Sequence, residues 1–187
     1  MHNLEETFIE NPIIAAIKDS KGLDKVICCK SEIVFVLHGN LMNIGDICKR
    51  LKEANKTVFV HIDMVDGLRG DSAALEYIKK YADPFGIITT KGSNIKFAKQ
   101  LGLYTIQRLF IIDSLSLKTG IKSIQDTCPN AIEVMPGVAS KIINTMQKQV
   151  NIPIIAGGLI DCKKDVIDSL AAGAVAISTT AAELWNL

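Results

Sequence analysis

Short apolar runs alternate with amphipathic segments along almost the whole chain. The runs Ile13–Ile17 and Ile33–Leu37 are apolar throughout, which is typical of parallel strands buried on both faces. Between such runs, apolar residues recur every three or four positions, as in segment 41–54, which predicts a helix that buries one face. We predict strands that start near residues 12, 32, 57, 84, 104, 131, 152 and 174.

Eight strand–helix units predict an α/β protein, a small (β/α)₈ TIM barrel. We expect residues 1–187 to form this single domain, with a short N-terminal helix over residues 3–10. An open doubly wound sheet is the alternative, but it usually has five or six strands. The chain is shorter than the ~200–250 residues usual for the barrel, so little material is left for a lid.

Local signals place several element boundaries. Asp71 or Ser72 is predicted to cap one helix and Ser93 the next, since short polar side chains accept the first free N–H groups of a helix. Gly102 is predicted to end the latter helix. The third strand is predicted over residues 57–63.

Composition excludes some classes of protein. Hydrophobic residues make up 48% of the chain and charged residues 22%, as in ordinary globular domains. With 21 basic and 20 acidic side chains, composition gives no sign of nucleic-acid binding. We expect a cytoplasmic protein, because the sequence shows neither a signal segment nor an apolar run of membrane-spanning length.

The cysteines have no metal-ligand spacing. Their number is five, which is odd, and they favour a reduced compartment in which most serve as small core residues. A redox or metal site at Cys28-Cys29 is the alternative, but no histidine or further cysteine lies nearby in the sequence.

Polar residues at predicted strand ends are the candidates for chemistry, since active sites of barrels lie there. His61 and Asp63 are two positions apart on one predicted strand, so they are expected to face the same side. They are either a general acid–base pair or a core histidine beside a loop-ordering aspartate.

Glu133 stands within an apolar strand and requires a cation or hydrogen-bond donors. Lys18 and Arg108, on other strands, are its predicted partners. The resulting charged layer is either part of a site for a small polyol phosphate or a structural ion-pair network.

The stretch 151–180 predicts a phosphate site. Gly157 and Gly158 permit close approach of a ligand to the backbone, and Ser178 and Thr179 offer hydroxyl groups beside a helix N-terminus. In a barrel these turns follow strands seven and eight, where phosphates frequently bind. A tight turn and a helix cap are the alternative. No phosphate-binding loop with lysine, dinucleotide fingerprint or metal-ligand cluster is present in the sequence, and we expect no cofactor, metal or catalytic residue.

Several segments, in order, resemble the glycerol uptake operon antiterminator regulatory protein family across nearly the full length. They include Asn-Pro-Ile-Ile-Ala-Ala-Ile-Lys at 11–18 and Ile-Glu-Val-Met-Pro-Gly-Val at 132–138. The other segments are 58–68, 86–91, 98–115 and 151–160.

The resemblance implies a bacterial regulator that senses glycerol 3-phosphate, binds leader mRNA of glycerol-use genes and prevents premature transcription termination. It implies that the phosphate site receives an effector at the carboxyl-terminal mouth of the barrel. Asp161 and Arg69 depart from the family pattern, and Asp161 bears on anion contacts or the RNA face. A homo-oligomer is compatible with this interpretation.

The RNA-binding surface is predicted from lysines alone. A cluster free of acidic residues and a second pair four residues apart offer charge to phosphates, although a solvated helix face is the simpler interpretation of any single lysine. The five residues are Lys91, Lys96, Lys99, Lys118 and Lys122.

An enzyme is the competing hypothesis. A small phosphate-barrel enzyme acting on a triose or glyceryl phosphate would use Asp63 or Glu133 as general base and Arg108 to stabilise charge. The absence of material for a lid favours the regulator.

Overall fold

Eight parallel strands close into a barrel in chain order in the computed structural model, which describes residues 4–187. The last strand pairs with the first, with Ile14 opposite Ser178, so the sheet has no free edge. The predicted (β/α)₈ TIM barrel is therefore confirmed, and the open sheet is excluded. The strands are β1 Ile13–Ile17, β2 Ile33–Val36, β3 Thr57–His61, β4 Gly86–Thr89, β5 Tyr104–Phe110, β6 Ala131–Met135, β7 Ile154–Gly157 and β8 Ala176–Thr179.

Helices connect consecutive strands on the outside of the barrel, and one short helix precedes β1. Asn3, the first residue of the predicted helix over 3–10, lies outside the described residues. Two 3₁₀ turns, Ile62–Met64 and Ala182–Leu184, follow β3 and β8, and a π-helical turn, Ile78–Ala82, extends α4. The helices are α1 Leu4–Glu10, α2 Ser20–Ile27, α3 Ile44–Glu53, α4 Ser72–Tyr77, α5 Gly92–Gln100, α6 Ser114–Thr127, α7 Ser140–Gln147 and α8 Lys163–Ala171.

Aromatic rings fill the lower half of the barrel interior. Phe59 lies edge-on to Phe35, with ring centroids 5.7 Å apart, and edge-on to Phe85 at 5.5 Å. Phe8 of α1 reaches the same cluster, 6.4 Å from Phe59, and is fully buried. The α1 helix thus closes one end of the barrel, which leaves the carboxyl ends of the strands as the open end.

The predicted boundaries are corrected at two places. β3 ends at His61 rather than at Asp63, because the chain turns into a 3₁₀ helix there. The Ser93 cap is wrong, since α5 begins at Gly92 and no side chain caps it. The cap at Asp71 is confirmed: its carboxylate accepts the N–H of Ala74.

The cysteines are all free, but only one is a core residue. Cys48 is buried, and this burial raises its pKa to about 12. Cys28, Cys128 and Cys162 are exposed, so the expectation that most cysteines lie in the core is wrong. Their positions at or beyond helix ends explain the exposure.

None of the helices described in residues 4–187 combines the length and the apolar character that a membrane-spanning helix needs.

Phe59→Ala should lower the free energy of unfolding by about 3–5 kcal/mol, because it leaves a cavity among the interior rings. Phe110→Ala is the matched control. Phe110 is 56% exposed, so its loss should change stability by no more than about 0.5 kcal/mol. Urea denaturation of both variants measures the difference, and equal losses would contradict the described core.

Candidate functional site

A cavity of about 310 Å³ opens at the carboxyl ends of β5 to β8. Its volume lies at the low end of the ~300–1,000 Å³ range of ligand pockets, which suits a small ligand. Its polar lining comes from two sources: side chains at the ends of β5, β6 and β8, and the turns after β7 and β8. The lining includes Arg108, Glu133, Gly158, Asp161, Ser178, Thr179 and Thr180.

A chain of three side chains forms the charged part of the lining. Arg108 and Glu133 are opposite each other in the β5–β6 register, and the Arg108 Nε–H donates to Glu133 Oε2 at 2.6 Å. The other carboxylate oxygen, Oε1, accepts the Ser178 hydroxyl at 2.5 Å. The predicted pairing of Glu133 with Arg108 is confirmed, and each carboxylate oxygen has a donor.

This ion pair is buried, so the cost of removing its charges from water decides how much it contributes to stability. The Glu133 side chain is fully buried and that of Arg108 is 7% exposed. Removing both charges from water costs several kcal/mol per ion, and only a short, well-aligned pair offsets that cost. The arrangement is therefore stable as a pair and unfavourable whenever one member is lost.

The tandem glycines serve two different purposes. A Cβ on Gly157 would lie 2.5 Å from Glu133 Oε1 and 2.7 Å from Ser178 Oγ, so this glycine makes room for the buried carboxylate. Gly158 has φ +76°, a left-handed conformation that favours glycine, and it lines the cavity. Of the two, only Gly158 is in a position to meet a ligand.

The turns after β7 and β8 are joined by the Thr179 hydroxyl. It donates to the Ile160 carbonyl at 2.6 Å and accepts the Ala181 N–H at 3.0 Å. The N-terminus of α8 is also occupied, because Asp165 accepts the N–H groups of Asp161 and Cys162. The turns are thus ordered by the protein's own side chains before any ligand arrives.

Three of the eight predicted ligand-binding residues are not among the residues that line the cavity. Gly157 lies against the Glu133 carboxylate, for which it makes room. Lys18 is exposed and lines a smaller neighbouring cavity of about 180 Å³ with Thr180. Asp63 lies in the 3₁₀ turn after β3 and reaches the end of β4, where its carboxylate accepts hydrogen bonds from the Thr89 hydroxyl at 3.0 Å and the Thr90 N–H at 2.7 Å.

The loop-ordering interpretation of Asp63 agrees with these contacts. Because β3 ends at His61, the strand alternation on which the expectation of a shared face was based does not extend to Asp63. Asp63 instead ties the turn after β3 to the turn after β4.

His61 is buried inside the barrel near the Arg108 guanidinium. Burial, and to a lesser extent the positive charge of Arg108, lowers its pKa from 6.5 to about 4. His61 is therefore neutral at pH 7, and its Nδ1 has no hydrogen-bond partner in the described part of the chain. A neutral imidazole here avoids placing a second positive charge beside Arg108.

The five lysines predicted to bind RNA are all exposed, but they do not form one compact patch. Lys91 lies at the barrel mouth, where its ammonium group reaches the Arg69 carbonyl at 3.5 Å. Lys99 lies at the other end of α5 and donates to the Cys128 carbonyl at 2.7 Å. Lys96 lies on α5, and Lys118 and Lys122 lie on α6.

Some lining residues were not identified from the sequence. Met135 and Leu159 are apolar, so no chemical signal marks them, and they line the cavity because they end β6 and follow β7. Asp161 was singled out only as a departure from a family pattern. Its carboxylate belongs to a rim of the cavity that is otherwise suited to an anion.

Asp161, Cys162 and Asp165 form the one group in residues 4–187 with metal-ligand spacing, their ligand atoms lying within 4.8 Å of one another. Two of the three are exposed, and the Asp165 carboxylate already accepts the N–H groups of Asp161 and Cys162 at the start of α8. The geometry is thus accounted for by helix capping.

Comparison with known proteins identifies relatives of the whole chain. The profile of the family described as "Glycerol-3-phosphate responsive antiterminator" matches residues 13–185. The crystal structure of a glycerol uptake operon antiterminator regulatory protein from Listeria monocytogenes is similar, with a TM-score of 0.90 and 34% identity over 92% of this chain and 94% of that one. An antiterminator-related protein from Thermotoga maritima has a TM-score of 0.83 and 34% identity, covering 94% and 98% of the two chains.

A sequence relative from Escherichia coli K12, the uncharacterized protein YgcP, is 36% identical over 178 residues. The match covers 95% of this chain and 93% of that protein, so the similarity is not confined to a motif.

Arg108→Met should lower the free energy of unfolding by about 3–5 kcal/mol, because Glu133 would be left buried without its cation. The double variant Arg108→Met/Glu133→Gln should recover much of this loss, since the amide is neutral and its oxygen still accepts the Ser178 hydroxyl. Arg50→Met is the control: Arg50 pairs with Asp24 at 2.8 Å on the surface, so its loss should cost no more than about 1 kcal/mol. Urea denaturation measures all three variants, and a double variant that is no more stable than Arg108→Met would contradict the coupling.

His61 should make stability depend on pH. The unfolded chain binds a proton near pH 6.5 and the folded chain only near pH 4, so stability is lost as pH falls between these values. Between pH 6.5 and 5.5, the wild type should lose ~1 kcal/mol more unfolding free energy than His61→Gln. Parallel slopes in urea denaturation across this range would show that His61 takes up its proton in the folded state.

Proposed function

The chain belongs to the glycerol-3-phosphate responsive antiterminator family. On this premise we propose that it binds glycerol 3-phosphate in the cavity at the carboxyl ends of β5 to β8, which we call the mouth cavity. With this effector bound, the protein binds leader mRNA of glycerol-utilisation genes and prevents premature transcription termination. The observation that supports the effector site is that one cavity is lined both by the turns after β7 and β8 and by the charged pair of Arg108 and Glu133.

The phosphate end of the effector fits the turns after β7 and β8. Backbone turns that open helices attract anions, and phosphates frequently bind at these positions in barrels. Gly158 permits close approach of the backbone, and the exposed Thr180 hydroxyl offers a further donor. Because Thr179 and Asp165 already order these turns, little conformational entropy is lost on binding.

The glycerol end fits the floor formed by Arg108 and Glu133. Arg108 uses its Nε–H on Glu133, which leaves the rest of the planar guanidinium for hydroxyl oxygens. Each carboxylate oxygen of Glu133 has one donor and retains acceptor capacity for a second. A polyol phosphate thus finds a partner for each of its two ends.

The geometry favours a sensor over an enzyme. Asp63, one candidate general base, does not line the cavity and is engaged by Thr89 and Thr90. Glu133, the other, is held by Arg108 and Ser178. Asp63 therefore lies outside the cavity, and Glu133 is part of a buried ion pair, which supports a structural and ligand-binding role for it.

Control of RNA binding by the effector requires that the effector bind two conformations of the protein with different affinity. An effector shifts a protein toward an RNA-binding conformation only if it binds that conformation more tightly. We therefore expect reciprocal coupling, in which glycerol 3-phosphate strengthens RNA binding and RNA strengthens glycerol 3-phosphate binding by the same factor.

The test has two arms. Calorimetric titration should show binding of glycerol 3-phosphate, with glycerol and inorganic phosphate each weaker, and a gel shift with leader RNA should show tighter binding when glycerol 3-phosphate is present. Asp161→Asn should strengthen glycerol 3-phosphate binding by about fivefold, because it removes a negative charge from the cavity rim.

Asp168→Asn is the matched control, since Asp168 is an exposed carboxylate on α8 that pairs with Lys164 and does not line the cavity. An equal effect of both aspartate variants would place the phosphate elsewhere. RNA affinity that is the same with and without glycerol 3-phosphate would refute gating.

A further inference from the structure

A groove of about 540 Å³ lies beside the carboxyl end of β5 and the first turns of α6. We call it the β5 groove and define it by Thr90, Arg108, Phe110, Ile112, Leu115 and Thr119. It is separate from the mouth cavity but shares one residue with it, Arg108, which lines both.

Three large apolar side chains of the groove face solvent. Phe110 is 56% exposed, Ile112 is 84% exposed and Leu115 is 70% exposed. They occur within six residues on one strand-to-helix connection. Single exposed apolar residues are ordinary, whereas a contiguous group of this kind marks a binding surface.

The charge around the groove differs from that of the whole chain. Residues 90–127 carry six basic and only two acidic side chains, whereas the full chain has 21 and 20. One of the acidic side chains, Asp113, is held at the N-terminus of α6 by the Ser116 N–H at 2.7 Å. Of the six basic side chains, Arg108 is buried in its pair with Glu133 and Lys99 lies at the far end of α5. Lys91, Lys118 and Lys122 are exposed and are those that can attract a polyanion to the groove.

Three lysines of this segment are sequence neighbours of residues that line the groove. Lys118 and Lys122 are exposed and directly precede Thr119 and Ser123, two α6 residues that line it. Lys91 is exposed and directly follows Thr90, which also lines it.

We propose that the β5 groove is the docking surface for unpaired RNA, with a base stacked on Phe110 and phosphates next to Lys118 and Lys122. This inference rests on the proposed function. Unpaired RNA is recognised by stacking of splayed bases on aromatic rings and by basic grooves that follow the backbone. Phe110, which is 56% exposed, supplies the aromatic surface that such stacking requires.

A second copy of this chain is the competing occupant, and its charge argues against it. In a two-fold symmetric dimer, the same surface meets itself. Such a contact would set the basic segment 90–127 against its own copy, where like charges repel. A polyanion is favoured by the same charge.

Arg108 connects the β5 groove with the proposed effector site, because it lines both. Its Nε–H is held by Glu133 at the floor of the mouth cavity, and its Nη1 lies 4.0 Å from the Met64 sulfur. An effector that binds the guanidinium in the cavity therefore also fixes one wall of the groove. Arg108 is therefore a direct physical link between effector binding and RNA docking.

The test is fluorescence anisotropy with labelled leader RNA, the full chain and saturating glycerol 3-phosphate. Phe110→Ala should weaken RNA binding by about 5- to 100-fold, and Phe110→Trp should retain it, because stacking needs an aromatic face and not phenylalanine itself. Both variants should bind glycerol 3-phosphate as the wild type does, because Phe110 does not line the mouth cavity.

Lys118→Gln/Lys122→Gln should lower the slope of log affinity against log salt by about 1.4, the value for two lost phosphate contacts with a single strand. The matched control is Lys21→Gln/Lys25→Gln. Those lysines are also exposed and four residues apart, but they lie on α2, four strands away on the opposite side of the barrel. The control should leave the slope unchanged.

The outcomes separate this inference from the proposed function. Effector-dependent RNA binding that is equal in Phe110→Ala and in both lysine pairs would overturn the groove and leave the proposed function intact. Loss of self-association in Phe110→Ala, with RNA affinity unchanged, would assign the groove to a second copy and overturn the inference. A wild-type chain that binds no RNA would overturn both.

Discussion

The ion pair between Arg108 and Glu133 is the interaction on which the upper half of the barrel depends. A carboxylate with no exposed surface is tolerable only when cations and donors surround it. Three strands meet that requirement, because β5 supplies the guanidinium, β6 the carboxylate and β8 the Ser178 hydroxyl. The same groups line the cavity, so stability and ligand chemistry share their residues.

Much of the fold was predictable because each strand of a barrel is buried on both faces and therefore appears as a short apolar run. The end of β3 was not, since its apolar pattern continues through Ile62 into the 3₁₀ turn. Just beyond the strand, Asp63 makes a tertiary contact, because its carboxylate accepts hydrogen bonds from Thr89 and Thr90. Periodicity within one segment carries no information about such a contact.

The candidate site was predictable in part for a similar reason. Burial chemistry alone requires a partner for Glu133, but the choice of Arg108 over Lys18 depends on the β5–β6 register. The hydroxyl and glycine positions were singled out from the sequence as one phosphate site, whereas their contacts within the protein differ. Thr179 links two turns, and Ser178 completes the shell of the carboxylate. Residue type identifies a polar position, whereas only packing decides whether it serves the protein or a ligand.

Gly157 shows how the buried carboxylate restricts the rest of the chain. Any Cβ at this position would collide with Glu133 Oε1 and Ser178 Oγ. The constraint runs in one direction during divergence: a lineage that keeps the carboxylate and the Ser178 hydroxyl in this arrangement cannot accept a side chain at 157. A side chain on β7 at this position is therefore a sign that the acid on β6 is absent or placed differently.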